Sequence, residues 1–199
     1  MNIVCFDMES VLTPEIWIDF SKASGIPELC RTTRDEPDYD KLMKWRLNIL
    51  KEHGLGIKEV QQVISTIDPL DGAREFLDKL RKKVQVVILS DTFEEFAMPL
   101  VEKLGMPPIL CNSLVIADDG EILEHKMRIA HSKLSAVRAF QSINYDTIAV
   151  GDSYNDLEML KASKHAFLFN TTEQLKEANP DIPAYDSFDE LYKAIVEVL

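Results

Sequence analysis

Cysteine is scarce and unpatterned in this chain. The three thiols, Cys5, Cys30 and Cys111, are an odd number with no Cys-x-x-Cys spacing and no neighbouring histidine. Neither a disulfide framework nor a zinc site is indicated, and buried, reduced thiols are expected. The four histidines, His53, His125, His131 and His165, are scattered without ligand spacing. Positive charge is also short: 22 Lys and Arg against 34 Asp and Glu leave a formal net charge of −12. Such a field repels phosphate backbones and anionic lipid surfaces, so no nucleic-acid or membrane partner is expected. No apolar run approaches the ~18 residues of a membrane span. The N-terminus has no basic stretch and meets an acid at Asp7, so the cytoplasm is the expected compartment. Internal repeats and low-complexity tracts are missing as well.

What is present is a globular composition, 46% hydrophobic and 28% charged over 199 residues, which suits one domain or one domain with a small insert. Short apolar runs recur, and most end in acidic or hydroxyl residues: 3–6 before Asp7, 84–89 before Ser90-Asp91, 147–150 before Gly151-Asp152, and 166–169 before Asn170. Continuous rather than alternating apolarity fits strands covered on both faces, hence a parallel sheet. Helical periodicity lies between them, in Ala73, Phe76, Leu77 and Leu80, and again in Leu134, Val137 and Phe140. A last helix opens on the capping pattern Ser187 to Glu190 and runs through Leu191, Ile195 and Val198. The expected fold is a doubly wound, mostly parallel α/β sheet.

Residues 13–69 break the alternation and show no convincing strand. The pattern predicts a helix beginning at Pro14 with Thr13 as N-cap, a second over 39–53 stopped by Gly54, and a third over 57–67 stopped by Pro69. The expected organisation is a core of 1–12 and 70–199 with a small helical cap, 13–69, inserted after the first strand. Residues 110–126 read as a β-hairpin turning at Asp118-Asp119-Gly120.

In a doubly wound sheet the ligand crevice lies outside the carboxyl ends of the strands. The residues that follow the strands here are Asp7 and Glu9, Ser90 and Asp91, and Asp152 and Asp156. Carboxylates gathered so closely raise one another's pKa unless a cation joins them, and an all-oxygen site suits Mg²⁺ with substrate phosphate and water.

These residues carry a resemblance. Phe6-Asp7-Met8-Glu9-Ser10-Val11-Leu12-Thr13 resembles the first motif of the haloacid dehalogenase superfamily, and Leu89-Ser90-Asp91-Thr92 its second. Lys133 at a helix start resembles the third motif, and Gly151-Asp152-Ser153-Tyr154-Asn155-Asp156 the fourth. The combination, in family order and across essentially the whole chain, is highly specific where any one motif is weak. Most phosphatases of the superfamily have Asp-x-Asp in the first motif. Here it is Asp7-Met8-Glu9, accompanied by Pro14-Glu15-Ile16-Trp17-Ile18, Thr32-Thr33-Arg34-Asp35 and Pro37-Asp38-Tyr39-Asp40. This is similar to a bifunctional subgroup of phosphoserine phosphatases that also transfer phosphate from phosphoserine to homoserine. Ser10 departs from that subgroup, which usually has glycine there.

The resemblance implies a Mg²⁺-dependent enzyme acting on a small molecule, O-phospho-L-serine, with water or homoserine as acceptor. It makes Asp7 the nucleophile, forming an aspartyl phosphate, and Glu9 the general acid and base. Asp7, the Glu9 backbone carbonyl and Asp152 would hold the metal. Lys133, Ser90 and Asp91 would bind the phosphoryl group, and Asp156 would orient Lys133. Glu15 would face the substrate ammonium and Arg46 its carboxylate, with Asn155 near the substrate. Lys126 rivals Lys133, and Arg31, Arg34 and Lys44 rival Arg46. Trp17, Met43 and Trp45, at helical spacing, are expected to pack the cap or rim the site. Assembly is open between monomer and homodimer. Other readings are a phosphatase of another small phosphomonoester, a dehalogenase, a catalytically idle Mg²⁺-binding module, and a phospho-accepting receiver-type domain. The receiver type lacks a large helical insert and runs nearer ~120 residues.

Overall fold

The computed structural model describes every residue except Thr33, Arg34 and Pro37, so Arg34 as a rival to Arg46, and Thr33 and Pro37 in the motifs above, lie outside the described residues. Seven strands form one sheet: β1 (Asn2–Phe6), β2 (Gln85–Phe93), β3 (Ile109–Ile116), β4 (Ile122–Lys126), β5 (Asp146–Gly151), β6 (His165–Phe169) and β7 (Ala184–Tyr185). The order is β4-β3-β2-β1-β5-β6-β7. All neighbours are parallel except the β3–β4 hairpin.

The chain winds from β1 out through β2 to β4, then returns to the other side of β1 with β5. The reversal beside β1 is where a doubly wound sheet opens its crevice. Both faces of the central strands are buried, which is why those strands read as unbroken apolar runs. On one face Val4, Phe6, Ile88, Ile148, Val150, Phe167 and Phe169 join the larger core. On the other, Ile3, Cys5, Val87, Leu89, Ala149 and Leu168 pack with residues of α6 (Ser132–Ser142), α7 (Leu157–Ala162) and α8 (Glu173–Ala178).

Residues 13–69 contribute α1 (Ile16–Ser24), a short 3-10 turn (Pro27–Cys30), α2 (Tyr39–Glu52) and α3 (Ile57–Ile64). α4 (Ala73–Leu80), α5 (Glu94–Lys103, with Pro99 inside it) and α9 (Phe188–Glu197) complete the described helices. The Ser187 hydroxyl caps α9 by accepting the Glu190 N–H, as its sequence predicts.

Four expectations need correction. α1 starts at Ile16, because Thr13 turns back: its N–H and its hydroxyl both reach the Met8 carbonyl, at 3.0 and 3.3 Å. α3 ends at Ile64, and the Thr66 and Ile67 N–H groups close single turns onto Val63 and Ile64. β2 runs through Ser90, Asp91 and Thr92 to Phe93, with its register to β3 shifting between Leu89 and Phe93. Only Cys5 of the three thiols is buried, while Cys111 is half-buried and Cys30 is exposed.

The hairpin and α5 fasten residues 13–69 in place. The Gly120 carbonyl accepts the first N–H of α3, from Ile57, at 2.9 Å. Lys51 pairs with Glu121 at 2.6 Å. From α3, Gln61 donates to the Glu95 carbonyl at 2.9 Å. No described helix is long and apolar enough to cross a membrane.

Candidate active site

The residue after β1 is fixed by the sheet itself. The Asp7 N–H donates to the Val150 carbonyl at 2.9 Å, extending the ladder to β5, and its Oδ1 accepts the Met8 N–H at 2.7 Å. The chain then folds sharply, with Leu12 N–H on the Met8 carbonyl at 2.8 Å and Ser10 N–H on the Thr13 carbonyl at 2.7 Å. Ser10 takes φ 61° in this turn. The left-handed region costs a non-glycine residue ~1–2 kcal/mol, which accounts for the glycine of the resembling subgroup. Glu9 leaves the turn toward α1, where its Oε1 accepts the Ile16 N–H at 2.7 Å.

Lys133 comes from the first turn of α6 and is buried among acids. Its Nζ lies 2.8 Å from Asp7 Oδ1, 2.7 Å from Asp156 Oδ1 and 4.0 Å from Asp91 Oδ2. Lys126, the rival, is exposed on β4. Asp156 is fully buried, and its Oδ2 accepts the Asp152 N–H, the Ser153 N–H and the Ser153 hydroxyl at 3.0–3.1 Å. Gly151 permits this: a Cβ there would lie 2.5 Å from the Asp156 Cβ. The Asp91 side chain accepts the Ser132 hydroxyl at 2.7 Å, and the Asp91 carbonyl accepts an Asn112 amide N–H at 2.9 Å. The buried Ser90 Oγ accepts the Thr92 N–H at 3.2 Å.

A cavity of about 360 Å³ brings Asp7, Glu9, Glu15, Arg46, Ser90, Asp91, Lys133, Asp152 and Asn155 onto one wall system, with Asp156 behind it. Arg46 is buried. One terminal nitrogen donates to the Arg31 carbonyl at 2.6 Å, the guanidinium lies 4.4 Å above the Trp17 ring, and Nε has no partner among the described residues. Arg31 thus supports Arg46 through its backbone, and Lys44 is exposed on Asp40. Glu15 and Asn155 are exposed at the mouth. Trp17 lines the cavity as well as packing on Phe96, at 5.3 Å between ring centroids, whereas Met43 and Trp45 belong to the core. Sequence reasoning missed Tyr39 as a cavity residue. The signal was its place on α2 seven residues before Arg46, which puts both on one helix face.

The electrostatics are unbalanced toward negative charge. Asp7 is pushed well above the usual carboxylate range by burial and by Asp156, and Lys133 offsets only part of this. Burial and Asp156 likewise lift Asp152 to about 7. Burial and Glu15 lift Glu9 to about 7 against the Ile16 N–H, Lys133 and Arg46. Burial alone would lower Lys133, but Asp7, Asp156 and Asp91 hold it above its ordinary value, so it stays charged. Burial lowers Arg46 to about 10, still cationic near neutrality. Oxygens of Asp7, Asp152 and Asp156 lie within 4.8 Å of one another. Asp156 already receives four donors, whereas Asp7 shares the one Lys133 charge with it and Asp152 has no ion pair among the described residues. Hard oxygen donors in this state fit a hard divalent cation. The Glu9 carboxylate is not in this trio, since it faces α1.

The family model for haloacid dehalogenase-like hydrolases matches residues 1–164. Over 197 residues the chain is 48% identical to a phosphoserine phosphatase of Pseudomonas syringae pv. tomato, covering 99% of this chain and 83% of that one. It is 47% identical to phosphoserine phosphatase ThrH of Pseudomonas aeruginosa, with 99% and 96% covered. The fold superposes on a solved phospho-aspartyl intermediate analogue of a phosphoserine phosphatase with TM-score 0.78 at 23% identity, covering 97% of this chain and 98% of that one.

Proposed function

Since the chain belongs to the haloacid dehalogenase-like hydrolases, we propose that it is a Mg²⁺-dependent phosphoserine phosphatase that also passes the phosphoryl group to homoserine. The observation that carries this reading is the Lys133 ammonium held between Asp7 and Asp156 in a cavity that the buried Arg46 also lines. An ammonium beside an unneutralised carboxylate suits a phosphoryl group, and a buried guanidinium suits a carboxylate.

In this reading Asp7 Oδ1 is occupied by Lys133 and the Met8 N–H, which leaves Oδ2 to attack phosphorus. The Asp7–phosphorus bond forms as the phosphorus–oxygen bond to serine breaks, and Glu9 delivers its proton to the departing oxygen. Glu9, now a carboxylate, takes a proton from water or from the homoserine hydroxyl. The new oxygen–phosphorus bond then releases Asp7. Lys133 spreads the developing charge on the phosphoryl oxygens together with the Ser90 hydroxyl. Asp7, the Glu9 backbone carbonyl and Asp152 would hold Mg²⁺, which supplies charge neutralisation that lets a carboxylate approach a phosphate dianion. Glu15 faces the substrate ammonium, Asn155 sits at the mouth, and residues 13–69 act as the cap that excludes water.

The test is phosphorus NMR on purified protein with Mg²⁺ and phosphoserine, with and without homoserine. Inorganic phosphate alone without homoserine, and both inorganic phosphate and phosphohomoserine with it, are the expected products. Failure to consume phosphoserine would contradict the reading, and phosphate alone in both samples would remove the transfer.

A further inference from the structure

The face of α2 that looks into the cavity carries two hydrogen-bond donors that the described residues leave poorly satisfied. Arg46 spends one terminal nitrogen on the Arg31 carbonyl and directs another at the Met43 sulfur at 3.7 Å, while its buried Nε has no partner among the described residues. Two turns earlier stands Tyr39. Among the described residues its hydroxyl has one nearby acceptor, the Asp91 carbonyl at 3.5 Å, the outer limit of a hydrogen bond. The phenol stays protonated, because burial and the Glu9 carboxylate both push its pKa up.

The Tyr39 ring is held from behind by the hairpin. His125 of β4 meets it edge-on, with centroids 6.1 Å apart at 86°, and packs against Phe93 at 6.2 Å. His125 Nε2 in turn lies 3.3 Å from Asp40 Oδ1 on α2. A ring braced on one side and facing the cavity on the other offers its hydroxyl in a fixed place, which lowers the entropy lost on binding.

What these donors lack is an acceptor with more than one oxygen. The phosphoryl group is served elsewhere, by Lys133 and Ser90 beside Asp7, while the Glu15 carboxylate on the first-motif side repels anions and attracts an ammonium. A zwitterionic head group is therefore oriented with its anion toward α2. We propose that the Tyr39 hydroxyl is a specificity-determining group that, with Arg46 Nε, hydrogen-bonds the carboxylate of an amino-acid phosphoester seated on Asp7. This rests on the phosphoserine reading above and adds to it the second donor that recognises the carboxylate.

The experiment compares O-phosphoserine with O-phosphoethanolamine, which differ by the carboxylate alone, in wild type and Tyr39→Phe. Phenylalanine keeps the ring packing on His125 and removes only the donor. The ratio of kcat/KM for phosphoserine over phosphoethanolamine is expected to fall about tenfold or more, the size of one lost hydrogen bond to a charged group, through KM for phosphoserine. A general packing defect would lower both substrates together and leave the ratio alone. A wild-type preference for phosphoserine that Tyr39→Phe retains within twofold overturns the assignment of Tyr39 and leaves the phosphatase reading standing. A wild-type protein that turns over neither ester overturns both.

Discussion

At the scale of single residues, the first motif joins a strained backbone to the proposed proton carrier, Glu9. Ser10 sits at φ 61°, and its hydroxyl only grazes Glu15 at 3.4 Å. Glycine relieves the left-handed penalty of ~1–2 kcal/mol while adding freedom to the unfolded chain worth ~0.5–1 kcal/mol. Ser10→Gly is therefore expected to raise stability by up to ~1 kcal/mol, read as a higher urea midpoint at unchanged slope. Glu9, at about 7, is divided between its two forms near neutrality, as a group that must first give and then take a proton requires. In the proposed reaction, formation of the phosphoryl-enzyme is expected to weaken as pH rises through about 7, and its breakdown as pH falls through the same value. Glu9→Gln loses both transfers. Steady-state turnover is expected to drop ~10²–10⁴-fold with its dependence near pH 7 flattened, and a wild-type pH–rate profile in the variant would assign the proton to another group.

At the scale of elements, legibility follows from whether the controlling interaction is local. The four apolar runs and the Ser187 cap were readable because period and capping are written in adjacent residues. The start of α1 was not, since its first N–H is satisfied by Glu9 from seven residues upstream. The continuation of β2 through Ser90 and Asp91 was hidden for a similar reason: the Asp91 carbonyl is held in the strand by the Asn112 side chain of β3, from 21 positions away. The first and fourth motifs could be placed after β1 and β5 from sequence, whereas the bracing of Tyr39 by His125 depends on the hairpin folding over α2. That junction makes its own prediction. A Cβ on Gly56 would lie 2.8 Å from the Gly120 carbonyl oxygen, a backbone atom in the turn that also receives the Ile57 N–H. Gly56→Ala is expected to cost ~1–3 kcal/mol, the usual range for overpacking, and to raise KM for phosphoserine by shifting α2 and its Arg46. Unchanged thermal unfolding and KM would show that the hairpin does not seat these helices.

At the scale of the whole molecule, the proposed function reconciles a net charge of −12 with a phosphoryl substrate through a cation that would join the central carboxylates. Asp7 and Asp152 both have folded-state pKa values above their ordinary ones, Asp152 near 7. A raised carboxyl pKa adds stability that is complete below its unfolded value, near 4, and is lost as pH rises through the folded one. Metal-free protein is thus expected to unfold at a higher temperature at pH 5 than at pH 8, with the loss falling between about 4 and about 7. Mg²⁺ competes with those protons, so it should raise Tm more at pH 8 than at pH 5. Asp152→Asn should lose most of that Mg²⁺ response, and an equal response in wild type and variant would place the cation elsewhere.

The central claim is that Asp7 carries the phosphoryl group between donor and acceptor, and trapping that group tests it most directly. Protein mixed with Mg²⁺ and phosphoserine is quenched in acid within the first turnovers, digested and read by mass spectrometry. One phosphoryl group is expected on the peptide containing Asp7, removed by hydroxylamine, formed and lost more slowly in Glu9→Gln and missing in Asp7→Asn, which is also inactive. A phosphoryl group on another residue, or Asp7→Asn turning over phosphoserine at the wild-type rate, would contradict that claim.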